Sequence, residues 1–309
     1  IDPASGDWKV LHQPTRNTIA AGYLSVPEAI SFETAVGPNW QPRKAHAWYY
    51  PPSNPDYQGP AGEKPPLIVT IHGGPTSVSK ATLSLSRQYW TSRGFALVDV
   101  NYGGSTTYGR AYRERLLGQW GIVDVADAIA ATDYLIAQGR VDPERVAIRG
   151  GSAGGYTTLA ALAFHDRFKA GANYFGVSDI AALAATSHKF ERQYDVSLVG
   201  QPNEALYRSR SPLFHLDGFR EPLITFQGSE DKVAPPAQSQ AIVAALDARK
   251  IPHAYIEFAG EQHGFRQAAN IVRAQEAELY FYGQIFGFTP ADPIEPVVIA
   301  HWPAHKNKR

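Results

Sequence analysis

From residue 45 onward the chain alternates short apolar runs with longer stretches of helical periodicity. Ala45–Tyr50 has strand character and stops at Pro51-Pro52, and Asn54–Lys64 is turn-rich and reads as a surface loop. Pro66–Ile71 (PLIVTI) is a continuous apolar run of strand length, the pattern expected when both faces of a sheet are covered. Lys80–Arg93 reads as a helix stopped by Gly94, and Phe95–Asn101 as a second buried strand. Val123–Gln138 is an amphipathic helix with Val125, Ala128, Ile129, Thr132 and Leu135 at helical spacing. Arg145–Arg149 reads as a strand, Ala153–Phe164 as an Ala/Leu-rich helix, and Phe168–Phe175 as a strand. Leu223–Gln227, Pro235–Lys250, Ala254–Phe258 and Ala268–Phe286 continue as strand, helix, strand and helix. Strands alternating with helices predict βαβ units, hence an α/β fold with a mostly parallel central sheet and helices on both faces.

Three segments stand outside this rhythm. Residues 1–40 are polar, with short β-like runs only at Trp8–Leu11 and Ile19–Leu24, and read as an N-terminal arm on a main domain of residues 41–288. Asp179–Phe219 lacks strand signal and reads as short helices inserted over one end of the sheet. Thr289–Arg309 is proline-rich, ends Lys306-Asn307-Lys308-Arg309, and reads as a loose tail.

Composition narrows the chemistry. Lys+Arg and Asp+Glu both number 29, so no field of one sign is available to hold nucleic acid or an anionic membrane. The longest apolar stretches are too short to cross a bilayer. There is no cysteine, which excludes disulfides and thiolate catalysis. The spacing His-Glu-x-x-His is absent, as is a Gly-rich phosphate loop ending in Lys-Ser/Thr, so neither a metal nor a cofactor is expected. Methionine is absent and the chain opens Ile1-Asp2-Pro3, which suggests a processed chain or a fragment. No signal-peptide pattern is visible, and a cytoplasmic location is the expectation.

Within Arg145–Gly155 (RVAIRGGSAGG), residues 150–154 match G-x-S-x-G. A strand ends at Arg149 and an apolar helix opens just after Ser152. Glycines at 150 and 154 let strand and helix pack closely around a strained serine whose hydroxyl stands above the sheet edge. Free N–H groups at the helix start favour a developing negative charge there. The competing interpretation is a serine N-cap in a Gly-rich βα turn of a nucleotide-binding domain. That fold would carry its glycines after the first strand, whereas this turn follows several.

A serine hydroxyl needs an imidazole in reach and a carboxylate to orient it, in the chain order Ser, acid, His. Among the downstream histidines, His263 alone follows a predicted strand directly, in the loop Gly260–Phe265, and His188 in the inserted segment is the alternative. The acid belongs on the loop after Leu223–Gln227, where Glu230 and Asp231 compete. The second oxyanion donor is expected from the loop after the third strand, here His72-Gly73-Gly74-Pro75, with the backbone N–H of Ala153 as the other donor. His72 precedes the serine and is expected to be structural. Tyr102, in Asn101-Tyr102-Gly103-Gly104-Ser105, either lines the site or packs under a loop.

Taken together, His72–Pro75, Asn101–Ser105, Gly150–Tyr156, Gln227–Asp231 and Glu261-Gln262-His263-Gly264-Phe265 resemble, in order and wording, the catalytic domain of the prolyl oligopeptidase family of serine peptidases. The likeness spans roughly residues 45–288 and is nearest to acylaminoacyl-peptidase and dipeptidyl-peptidase-like bacterial members. It implies the α/β-hydrolase fold, with Ser152 as nucleophile, Asp231 as orienting acid, His263 as base, and Gly74 and Ala153 as oxyanion donors. It further implies a peptide substrate and an N-terminal β-propeller in the same precursor, of which residues 1–40 would be the last strands and connecting arm. Tyr102, Tyr156, Phe175, Val177, Ile180 and Phe190 are candidates for an apolar substrate pocket, with core packing as the competing interpretation. One departure stands out: relatives often carry Arg or Asn two residues after the acid, and here the residue is Val233. The expected activity is hydrolysis of short peptides through an acyl-enzyme, with a carboxylesterase or lipase-type hydrolase on the same machinery as the alternative. A homo-oligomer is compatible with the sequence.

Overall fold

The computed structural model describes residues 2–12, 18–35, 42–187, 189 and 191–303. Its centre is an eight-stranded sheet. In chain order the strands are β1 (Glu28–Thr34), β2 (Arg43–Tyr50), β3 (Leu67–Ile71), β4 (Ala96–Asn101), β5 (Val146–Gly151), β6 (Ala170–Tyr174), β7 (Leu223–Gly228) and β8 (His253–Phe258). The spatial order is β1-β2-β4-β3-β5-β6-β7-β8. β2 pairs antiparallel with both β1 and β4, and every later pairing is parallel.

The helices are α1 (Leu85–Thr91), α2 (Arg110–Arg113), α3 (Val123–Ala137), α4 (Ala153–Phe164), α5 (Ile180–Thr186), α6 (Arg192–Val199), α7 (Glu204–Arg210), α8 (Pro236–Ala248) and α9 (Ala268–Phe286). Alternation along the buried strands feeds two cores. Leu67, Val69 and Ile71 lie on the side of the sheet whose core includes residues of α3, α4 and α8, whereas Ile68, Leu97 and Ala147 lie on the side whose core includes residues of α1 and α9. Each fully buried aliphatic side chain contributes roughly 1.5–3 kcal/mol, which is why the continuous apolar runs settle in the middle of the sheet. The parallel order directs the C-terminal ends of β3, β5, β7 and β8 to one rim, where binding loops collect in such sheets.

Several expectations need correction. Trp8–Leu11 and Ile19–Leu24 form no strand; Trp8, Val10 and Leu11 are exposed. The first strand is instead Glu28–Thr34, which buries Ile30, Phe32 and Thr34 on one face. It joins the sheet through β2, so a domain edge at residue 40 would cut a hairpin. The helix expected from Lys80 begins at Leu85, because Ser79 is held in a loop by Asp99 (2.7 Å) and Asn101 (2.8 Å). The tail is not loose as far as residue 303. Val297 is buried, Ile294 and Ile299 pack on the second core, and Ala300 pairs with His253 at the edge of β8. Among the described residues no helix is long and apolar enough to cross a membrane, and no three potential ligands cluster around a metal position.

Candidate active site

β5 delivers Ser152 to the rim. The residue adopts φ +58° and ψ −122°, and α4 starts immediately after it. A non-glycine residue with positive φ is held there by its surroundings at a cost of about 1–3 kcal/mol. The surroundings are specific. A Cβ on Gly150 would lie 2.3 Å from Gly154 O, and one on Gly154 would lie 2.2 Å from Ile71 O. Only glycines allow β3, β5 and α4 to approach this closely and force the sharp turn. The Ser152 N–H donates to Tyr174 O at 2.9 Å.

His263 lies in the loop after β8, and Asp231 in the turn after the neighbouring β7. The Nδ1–H of His263 donates to Asp231 Oδ2 at 2.8 Å. Asp231 is buried, and its Oδ1 accepts the backbone N–H groups of Val233 (2.8 Å) and Ala234 (2.9 Å). With the proton on Nδ1, the lone pair of the imidazole sits on Nε2. Glu230, the competing acid, is exposed, and its backbone N–H is tied to Glu261 O. Val233 contributes its backbone to Asp231 while its side chain is exposed.

The serine and the imidazole share a neighbour. The Phe175 ring stands 4.8 Å, centroid to centroid, from that of His263, and a Cβ on Gly151 would lie 3.2 Å from the same ring. Among the described residues no hydrogen bond joins Ser152 Oγ to His263 Nε2.

The loop after β3 lies against the serine turn. A Cβ on Gly73 would stand 3.0 Å from Gly151 O and 3.4 Å from Ser152 Cβ, and Gly74 has φ +124°. Among the described residues the N–H groups of Gly74 and Ala153 have no acceptor. His72 sits below, stacked on Tyr102 at 4.3 Å, with Nδ1 against Gly73 O (2.8 Å) and Nε2 against Ser105 Oγ (2.7 Å). Burial lowers the His72 pKa, so the ring works as a neutral strut. The Tyr102 hydroxyl lies 2.9 Å from Pro75 O and 3.1 Å from His72 O, fixing the same loop from inside.

The expected pocket is largely absent from the surface. Tyr102, Tyr156, Val177 and Ile180 are buried and belong to the first core. Tyr156 packs on Trp120 at 4.3 Å and donates to Arg210 O at 2.9 Å. Phe175 is half-buried and meets His263. Phe190 and the alternative base His188 lie outside the described residues. Apolar residues beside a serine turn fill the space under the rim as readily as they line a pocket, and sequence does not separate the two. Tyr194 on α6 was missed altogether. Its hydroxyl accepts the Thr76 N–H at 3.0 Å and lies 2.7 Å from Thr76 Oγ1, so the inserted helices grip the glycine loop. A lone tyrosine in a segment without regular patterning carries no signal of that role.

Residues 81–289 match the model of the prolyl oligopeptidase family, Peptidase_S9. The chain belongs to the prolyl oligopeptidase family. The match starts beyond the glycine loop of residues 72–75, although the likeness seen in the sequence extends to about residue 45. Dipeptidyl aminopeptidase BIII of Pseudoxanthomonas mexicana is 33% identical over 220 residues, covering 69% of this chain and 32% of that enzyme. A solved puromycin-hydrolysing peptidase of Mycobacterium tuberculosis superposes with a TM-score of 0.87 at 50% identity, over 92% of this chain and 43% of the other. Esterase LipQ of the same organism is 28% identical over 313 residues, 91% of this chain and 70% of its own length. The chain spans about a third of the length of the curated peptidases it matches first. The architecture is the α/β-hydrolase fold of this family, as the sequence pattern anticipated.

Proposed function

We propose that the chain hydrolyses amide bonds of short peptides by serine-based acyl transfer. The observation that carries this reading is the 2.8 Å bond from His263 to the buried Asp231, on loops neighbouring a serine at φ +58°. Asp231 fixes the tautomer that leaves Nε2 free to take a proton. As Ser152 Oγ attacks the carbonyl carbon, its proton passes to His263 Nε2. The resulting oxyanion accepts the free N–H groups of Gly74 and Ala153, each worth roughly 3 kcal/mol where the removal of such a donor costs 10²–10³ in rate. The imidazolium then protonates the leaving amine as the C–N bond breaks. Water attacks the acyl-enzyme, gives its proton to Nε2, and the acid product leaves as Ser152 recovers its hydrogen. The Ser–His contact tightens when substrate occupies the rim, as unliganded sites commonly require.

The names of the relatives support an amide substrate: one is a dipeptidyl aminopeptidase and one hydrolyses puromycin. The likeness to an esterase over most of the chain favours ester cleavage as the second reading. A β-propeller of the same precursor, seated over this rim, would restrict access to short peptides. Turnover of a peptide p-nitroanilide against the p-nitrophenyl ester of the same acyl group separates the two readings. The peptidase reading expects saturable anilide cleavage. Ser152→Ala abolishes it, and Asp231→Asn lowers kcat roughly 10³–10⁴-fold. Ester cleavage with no anilide turnover would overturn it.

A further inference from the structure

A buried ion pair lies directly under the serine turn. Glu278 on α9 is fully buried and pairs with Arg149 Nε on β5 at 3.1 Å, three residues before Ser152. The other partners of the carboxylate are two tyrosine hydroxyls: Tyr174 on β6 at 2.5 Å and Tyr282 at 2.8 Å. The Arg149 guanidinium lies over Trp90 (5.5 Å) and Tyr174 (5.2 Å). Removing two such charges from water is costly, and hydrophobic replacements of buried pairs are often neutral or stabilising. Stability alone therefore gives little reason for this pair.

Its connections suggest another. Tyr174 O accepts the Ser152 N–H, and the next residue, Phe175, puts its ring against His263. Phe175 has φ +42° and is tied by its N–H to Phe226 O at 2.8 Å. The dipeptide Tyr174-Phe175 thus touches both the proposed nucleophile and the proposed base, and Glu278 holds it from below.

We propose that Glu278 is a positioning residue for the reaction, acting through the Tyr174 hydroxyl and Arg149 to fix the serine turn relative to the imidazole. This rests on the serine-hydrolase reading. Small displacements of reacting groups are expensive: a misplacement of about 1 Å can cost 10²-fold in rate.

The test compares wild type with Tyr174→Phe and with the double variant Arg149→Met/Glu278→Gln. The double variant removes both charges, and its new amide still meets both tyrosine hydroxyls. Three quantities are measured: the rate of labelling by a fluorophosphonate, kcat and KM on a peptide anilide, and the melting temperature. The expected result is folded variants with melting temperatures near wild type, KM within about twofold, and kcat and labelling rate down about tenfold or more. A merely structural role would lower the melting temperature and leave the kcat of the folded protein unchanged. If either folded variant retains wild-type kcat and labelling rate while wild type itself is labelled, the positioning role falls and the hydrolase reading stands. If folded wild type is not labelled, both fall together.

Discussion

Burial pushes the Asp124 carboxyl up to about 6, against hydrogen bonds from Thr157 and the Gly121 backbone that favour its charge. The residue opens α3 and reaches across to Thr157 on α4, the helix that follows the serine. The native state therefore holds a proton at pH values where the unfolded chain, near 3.8, has lost it. Stability from this group is complete below the unfolded value and is lost as pH rises through about 6. A shift of this size corresponds to about 3 kcal/mol. Relative to wild type, Asp124→Asn should gain about that much unfolding free energy between pH 4 and pH 7, read from urea denaturation at each pH. A difference that does not change with pH would contradict the burial argument. At this same scale, glycines and strand ends mark Ser152 and His263 in the sequence, and the fold carries both to the same rim of the sheet. The loop pattern alone left Asp231 and Glu230 open, and the family resemblance pointed to Asp231. In the turn, the Val233 and Ala234 N–H groups hold Asp231 inward against His263, and the neighbouring Glu230 carboxylate stays in solvent. Tyr102, Tyr156, Val177 and Ile180 were misjudged as candidate pocket residues because bulk and apolarity describe core and cleft alike.

The βαβ elements were legible where both faces of a strand are covered. Runs such as PLIVTI have no polar face to confuse them. β1 was missed because an edge strand buries only alternate residues, and Glu28–Thr34 offers just Ile30 and Phe32 as large apolar side chains. The start of α1 was misplaced because a buried polar cluster, Ser79 with Asp99 and Asn101, overrides helical pattern. Glycine spacing, by contrast, was decisive. Gly154→Ala would drive a Cβ into the Ile71 carbonyl across the α4–β3 contact. Its unfolding free energy should fall by about 3 kcal/mol or more. Gly59→Ala, where nothing lies within 4 Å, should stay within about 0.5 kcal/mol of wild type. Comparable melting of the two variants would refute the close-packing account of the serine turn.

For the molecule as a whole, the alternation of strands and helices revealed the wound sheet, yet its two margins remained hidden. At one margin the polar alternation of β1 resembled an arm. At the other, proline-rich composition masked a strap that buries Val297 and pairs with β8. Proline composition reports the lack of regular hydrogen bonding, and extended chain can still dock its side chains. The convergence of remote segments at one rim is the central claim, and covalent capture tests it most directly. The folded chain is treated with a fluorophosphonate, digested with trypsin and mapped by mass spectrometry. The account predicts a single phosphonyl adduct on the peptide 150–167, at Ser152, and no adduct in Ser152→Ala. An adduct elsewhere, or none in folded protein, would contradict it.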